Sequence, residues 1–162
     1  DEIGISTALV TNQELEAWEI SINELLLAAR ENTPRLFPAH MVDMDEMIRR
    51  AGIDGLGDDT DIPMYILTNQ QEVNGASVLL YDDVLAAFAR KKRTDFYILP
   101  SSIHEVILVP ADKIENPDDL FKMVSDANKT VVGLGDILSD SVYYYNRKKN
   151  QIIPVREERK IV

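Results

Sequence analysis

Val106-Ile107-Leu108-Val109 is apolar at every position, and no other stretch of the chain constrains the fold so strongly. A short run without a polar face has to be covered on both sides, so it predicts a strand held between two layers. Further short β-branched or aromatic runs predict companions: Ile3 to Val10, Pro63 to Thr68, Gly75 to Tyr81, Asp95 to Leu99, Ile103 to Val109, Val142 to Tyr145 and Gln151 to Val155. Asn69 to Asn74 is a turn that makes Gly75 to Tyr81 the hairpin partner of Pro63 to Thr68. Pro100-Ser101-Ser102 and Arg147 to Asn150 join the later pairs. Hairpin pairs separated by helices predict an α+β fold: a single domain over residues 1–155, with a mainly antiparallel mixed sheet packed against several helices. Residues 156–162 are charged and aperiodic, and are expected to be a solvated tail, with one short helical turn as the alternative.

The helices announce themselves by caps and periodicity. Behind Thr11-Asn12, the residues Leu15, Trp18, Ile22, Leu25, Leu26 and Ala29 recur at helical spacing and predict one buried stripe. Ser21 followed by Glu24 is a capping-box pattern, which divides this stretch into two helices meeting at a bend. Thr33-Pro34 is expected to end the second helix, leaving Pro34 to Pro38 extended. Asp43 and Glu46 start a short helix through Arg50. Asp82 caps another through Arg90, with Val84, Leu85, Phe88 and Ala89 inward. Arg90-Lys91-Lys92-Arg93 suits the negative end of that helix's dipole. Asn116-Pro117-Asp118-Asp119 has the capping residue, first-turn proline and acids of a helix start, with Leu120, Phe121, Val124 and Ala127 facing inward. The Gly- and Asp-rich segment from Ala51 to Asp61 reads as a mobile connecting loop, with a ligand lid as the alternative, and lacks the alternating oxygen ligands of a calcium loop.

Charge narrows the partners. Seventeen Lys and Arg stand against 28 Asp and Glu, a formal charge of −11. That balance argues against nucleic acid and against an anionic membrane surface. No apolar run is long enough to span a bilayer, which takes about 18 residues or more. The expected partner is therefore a small ligand or another protein. The absence of cysteine excludes disulfides, thiolate metal sites and cysteine nucleophiles, and is compatible with either redox compartment. The chain opens Asp1-Glu2-Ile3, with neither an initiator Met nor a charged-then-apolar signal segment. It is expected to be the C-terminal part of a longer, cytoplasmic protein.

Several strings carry a resemblance. Met64-Tyr65-Ile66-Leu67-Thr68-Asn69, Asn74-Gly75-Ala76 and Leu99-Pro100-Ser101-Ser102-Ile103-His104-Glu105-Val106-Ile107 are the longest. Asn32-Thr33-Pro34-Arg35-Leu36, Leu138-Ser139-Asp140 and Val142-Tyr143-Tyr144 accompany them. Together they resemble a bacterial family of unknown function, met mainly in anaerobic gut bacteria, from Glu2 to about Arg147. The segment from Ala51 to Asp61 and the tail beyond Asn150 depart from it. The resemblance implies no catalytic residues, because the family has none assigned.

The string around His104 is the one place where chemistry could gather. Polar residues between two apolar strands cost burial energy unless they are paired or functional. On a regular strand Ser102 and His104 would share a face and Glu105 would point away. Glu105 is then badly placed to orient the imidazole, and Asp140 becomes the candidate acid. Two readings follow. In the first, this is a non-catalytic binding or regulatory domain that meets its ligand through Ser101, Ser102, His104 and Glu105. In the second, a hydrolase uses Ser102 as nucleophile, His104 as base and Asp140 or another acid as the orienter. No Gly-x-Ser-x-Gly elbow or phosphate loop is present. His40, Asp43 and Asp45 make a poor metal set, since only one is an imidazole, and neither metal nor cofactor is expected. Tyr143-Tyr144-Tyr145 would alternate faces on a strand, which suits mixed packing better than a stacking platform.

Overall fold

The computed structural model describes residues 8–50, 62–100, 102–130 and 132–156. The expected strand at Ile3 to Val10 falls mostly outside them, as do the loop from Ala51 to Asp61 and most of the charged tail. The chain divides into two compact units, Asp1–Leu36 and Phe37–Val162.

The first unit holds α1 (Asn12–Ala17) and α2 (Ile22–Leu36). Its bend is built as the sequence suggests. Thr11 Oγ1 accepts the Gln13 amide N–H, and Glu14 reaches back to accept the Thr11 N–H at 2.8 Å. Ser21 and Glu24 repeat the exchange at the start of α2. These bonds hold the Glu14 and Glu24 carboxyls below their ordinary range, through the Thr11 hydroxyl first and the Ser21 amide first, respectively. Two expectations need correction. No described residue of α1 or α2 is buried: Leu15 and Leu25 are half-buried, while Trp18, Ile22, Leu26 and Ala29 are exposed. Two short helices enclose too little volume to bury a stripe. Nor does Pro34 end α2, which runs on to Leu36 with no extended stretch before it. In the last turn the proline forfeits only the bond to the Arg30 carbonyl, a far smaller loss than in a helix centre.

The second unit is built on a six-stranded sheet, antiparallel throughout, in the order β1-β2-β4-β3-β5-β6. The strands are β1 (Ala39–Asp43), β2 (Tyr65–Asn69), β3 (Phe96–Leu99), β4 (Val106–Pro110), β5 (Tyr143–Asn146) and β6 (Gln151–Pro154). With its helices it makes an α+β fold. α3 (Met44–Arg50) follows β1, and Asp43 Oδ1 accepts the Asp45 N–H at its start. α4 (Val84–Lys92) and a 3-10 helix (Gly75–Leu80) lie on one face, and α5 (Asp118–Thr130) lies on the other.

β4 is the doubly covered strand that its composition requires. Val106 and Leu108 join Leu67, Phe88, Phe96 and Tyr145 beneath α4. Val109 joins Leu99, Leu120, Val124 and Val142 beneath α5. Tyr65, Phe88, Phe96 and Tyr145 form a chain of ring contacts with centroids 5.2, 5.0 and 4.7 Å apart. Such pairs stabilise by roughly 0.5–1.5 kcal/mol beyond area burial. The three consecutive tyrosines do alternate: Tyr143 and Tyr145 face the α4 layer, while Tyr144 meets Tyr97 on the opposite side.

Gly75 to Tyr81 is a further correction, because it forms a 3-10 helix and no strand. Both edges of β2 are occupied, by β1 and β4, so a hairpin partner has nowhere to pair. The strand that does flank it, β1, lies in a short stretch with no strong run of its own. The expected cap also moves by one residue: Asp83, at φ 62° and without a side-chain bond, precedes α4.

Candidate functional site

Three chain segments meet where β4 begins: the end of β2 with the turn after it, the bend Ser102 to Glu105, and the loop Gly133 to Ser139. The bend is irregular, since β4 starts only at Val106, and the strand-based facing of Ser102 and His104 does not apply. Backbone bonds fasten it on both sides. Ile103 N–H donates to the Asp136 carbonyl at 2.8 Å, and Ala76 N–H donates to the Ile103 carbonyl at 3.1 Å. Ser102 forms an isolated antiparallel bridge with Ile137, and Ser139 N–H donates to the Pro100 carbonyl.

The side chains complete the junction. Ser102 is only 5% exposed, and its Oγ accepts the His104 backbone N–H at 2.9 Å. The buried Thr68 hydroxyl donates to the His104 carbonyl at 2.7 Å. His104 Nδ1 accepts the Asn74 N–H at 3.2 Å, so a neutral ring carries its proton on Nε2. Nε2 faces Asp136 Oδ1 at 3.7 Å, with the imidazole 35% exposed. Gly75 packs so closely that a Cβ there would lie 2.0 Å from Thr68 Oγ1 and 2.4 Å from the His104 carbonyl. Only glycine allows this approach of one turn to the next.

Ser102 and His104 are therefore neighbours, but their bond runs from backbone to hydroxyl. Among the described residues no serine hydroxyl is hydrogen-bonded to the imidazole. Asp140 is placed elsewhere: its Oδ1 accepts Asn128 Nδ2 of α5 at 2.7 Å, and the carboxylate beside the ring is Asp136. Glu105 is half-buried and makes no hydrogen bond or ion pair among the described residues. Ser101 lies outside the described residues. Sequence reasoning missed Asp136, Thr68 and the Asn74 amide. The Asn74-Gly75 dipeptide was the available signal, because it marks a turn and an intimate backbone approach together. No group of three or more His, Cys, Asp or Glu side chains capable of holding a metal is assembled among the described residues. No helix among them is long and apolar enough to cross a membrane.

A family model described as a family of unknown function, DUF5688, matches residues 1–147. The chain belongs to this family. The DUF5688 match spans both units and includes every segment of the junction. No curated protein and no solved structure matches the chain.

Proposed function

We propose that this DUF5688 member is a non-catalytic binding or regulatory module of a bacterial, cytoplasmic protein. In this reading the polar string from Pro100 to Glu105 is the junction that shapes its ligand-facing surface. The observation that carries the reading is the occupation of the reactive groups. Ser102 Oγ is an acceptor for a backbone amide, and the His104 Nδ1 lone pair is taken by the Asn74 N–H. A general base has to offer a lone pair to the hydroxyl it deprotonates, at about 2.6–3.2 Å. The half-buried rim of the junction, His104 with Asp136 and Glu105, is what a ligand or protein partner would meet. The net charge of −11 favours a partner other than nucleic acid or membrane.

A serine-directed fluorophosphonate tests this. The intact protein is expected to stay unlabelled, and Ser102→Ala to lose stability without any change in labelling. Labelling at Ser102 that disappears in His104→Gln would overturn the reading in favour of the hydrolase.

A further inference from the structure

Away from the junction, the fold gathers positive charge in an acidic molecule. Seven of the chain's 17 lysines and arginines lie in two short segments, 90–93 and 147–149. The first ends α4 and the second is the turn between β5 and β6. Because β5 pairs beside β3 and α4 packs over Phe96 and Tyr145, the fold brings Arg90 of the first segment and Arg147 and Lys148 of the second to one cleft of about 480 Å³. Asp83, Ala86 and Arg90 of the α4 side form one wall. Arg147, Lys148 and Asn150 form the other, with Tyr145 at the floor.

Two of these seven cations are already committed. Lys92 donates to the Tyr65 hydroxyl at 2.7 Å and lies 4.0 Å from the centre of its ring. Arg147 sits 3.6 Å from Asp95, which also accepts the Arg147 N–H and the Tyr144 hydroxyl. The Arg90 and Lys148 side chains have no hydrogen bond or ion pair among the described residues; the Lys148 backbone N–H donates to Asn146 Oδ1. The Tyr145 hydroxyl donates to Asn150 Oδ1, which fixes that amide with its Nδ2 donors unpartnered among the described residues. Burial raises the Tyr145 hydroxyl's pKa, and after burial Arg90 opposes Asp83 and Asp95 in acting on it. Three cations, Arg90, Arg147 and Lys148, line the cleft against the single carboxylate of Asp83, and an excess of one charge in a cleft focuses the field and raises the local concentration of an oppositely charged ligand.

We propose that this cleft binds a small phosphorylated molecule, its phosphoryl group held by Arg90, Lys148 and the Asn150 amide. Three uncommitted donor groups suit the three terminal oxygens of a phosphoryl group, whereas a carboxylate offers two. The guanidinium fork and the lysine point charge are the two common phosphate-binding cations. The volume exceeds that of a bare anion and lies within the range of about 300–1,000 Å³ usual for small-molecule sites. Asp83 supplies an acceptor for a hydroxyl or amine on the rest of the molecule. The cleft shares no residue with the His104 junction, so the proposal stands independently of the non-catalytic reading.

Phenyl phosphate, benzoate and inorganic phosphate, titrated into the ¹⁵N-labelled full chain at constant ionic strength, test it. Saturable shifts at Arg90, Lys148 and Asn150 are expected with phenyl phosphate. Arg90→Gln and Lys148→Gln should each weaken binding by about fivefold or more, as loss of one charge-assisted contact requires. All three positions are solvent-exposed, so these variants fold. Lys149→Gln, on the same turn but outside the cleft, should bind normally. Benzoate binding as tightly would overturn the phosphoryl preference, and inorganic phosphate binding as tightly would overturn the organic part. Shifts spread over all cations, or unchanged in the two variants, would overturn the site itself.

Discussion

Gly75 shows how closely one residue governs the junction. An added Cβ would meet the Thr68 hydroxyl, the His104 carbonyl and the Asn69 amide nitrogen, all within 2.8 Å, and two of these three are backbone atoms that cannot swing aside. Gly75→Ala is therefore expected to cost about 3 kcal/mol or more, at the upper end of overpacking effects, read from urea unfolding. Tyr144 gives a pH-dependent counterpart. Burial first, then its hydrogen bond to Asp95, raises its hydroxyl to about 12 from an ordinary value of 10.0. The folded state then binds more protons than the unfolded state in that window. This contribution to stability is complete below pH 10 and is lost as pH rises toward about 12. Tyr144→Phe should flatten the alkaline fall in stability between those limits, and an equally steep fall in the variant would sink the assignment. Individual residues were unevenly readable from the sequence. Ser102 and His104 stood out because polar groups interrupt an apolar stretch. Asp136 did not, since nothing local marks an acid that meets an imidazole from a distant loop.

At the scale of elements, local chemistry was readable wherever it decided the outcome. Asn116, expected to cap α5, does so through Oδ1 accepting the Asp118 N–H at 3.1 Å. Asn116→Ala should cost about 1 kcal/mol, the usual loss of a capping side chain, measured by thermal or urea unfolding. The inner face of α4 was equally plain, and Phe88, 3% exposed, now sits between Tyr65 and Phe96. Phe88→Ala should cost about 3–5 kcal/mol through lost burial and the cavity left behind. The elements that escaped notice were those settled by distant partners. Gly75 to Leu80 has strand-forming residues, yet β1 and β4 already hold both edges of β2. The apolar spacing of α1 and α2 promised burial that a pair of short helices does not supply.

For the molecule as a whole, the layered plan followed from β4, because a strand apolar on both faces demands cover on both. The order β1-β2-β4-β3-β5-β6 was beyond local reading, since it depends on which strands the loops can bring together. That order creates both places where function is proposed. It sets the bend before β4 against the loop Gly133 to Ser139, and it lays the β5–β6 turn beside α4. Dense polar sequence at the first place is explained by architecture: the His104 imidazole and carbonyl tie the bend to the turn after β2 and to the end of β2, and the Ser102 hydroxyl closes the bend on itself. Ser102 serves here as a structural acceptor for the His104 amide. Equilibrium urea unfolding of Ser102→Ala tests it most directly. The variant should lose roughly 1–3 kcal/mol, because its removal strands a half-buried backbone N–H. An unchanged unfolding midpoint would contradict the claim and return Ser102 to the residues whose role is chemical.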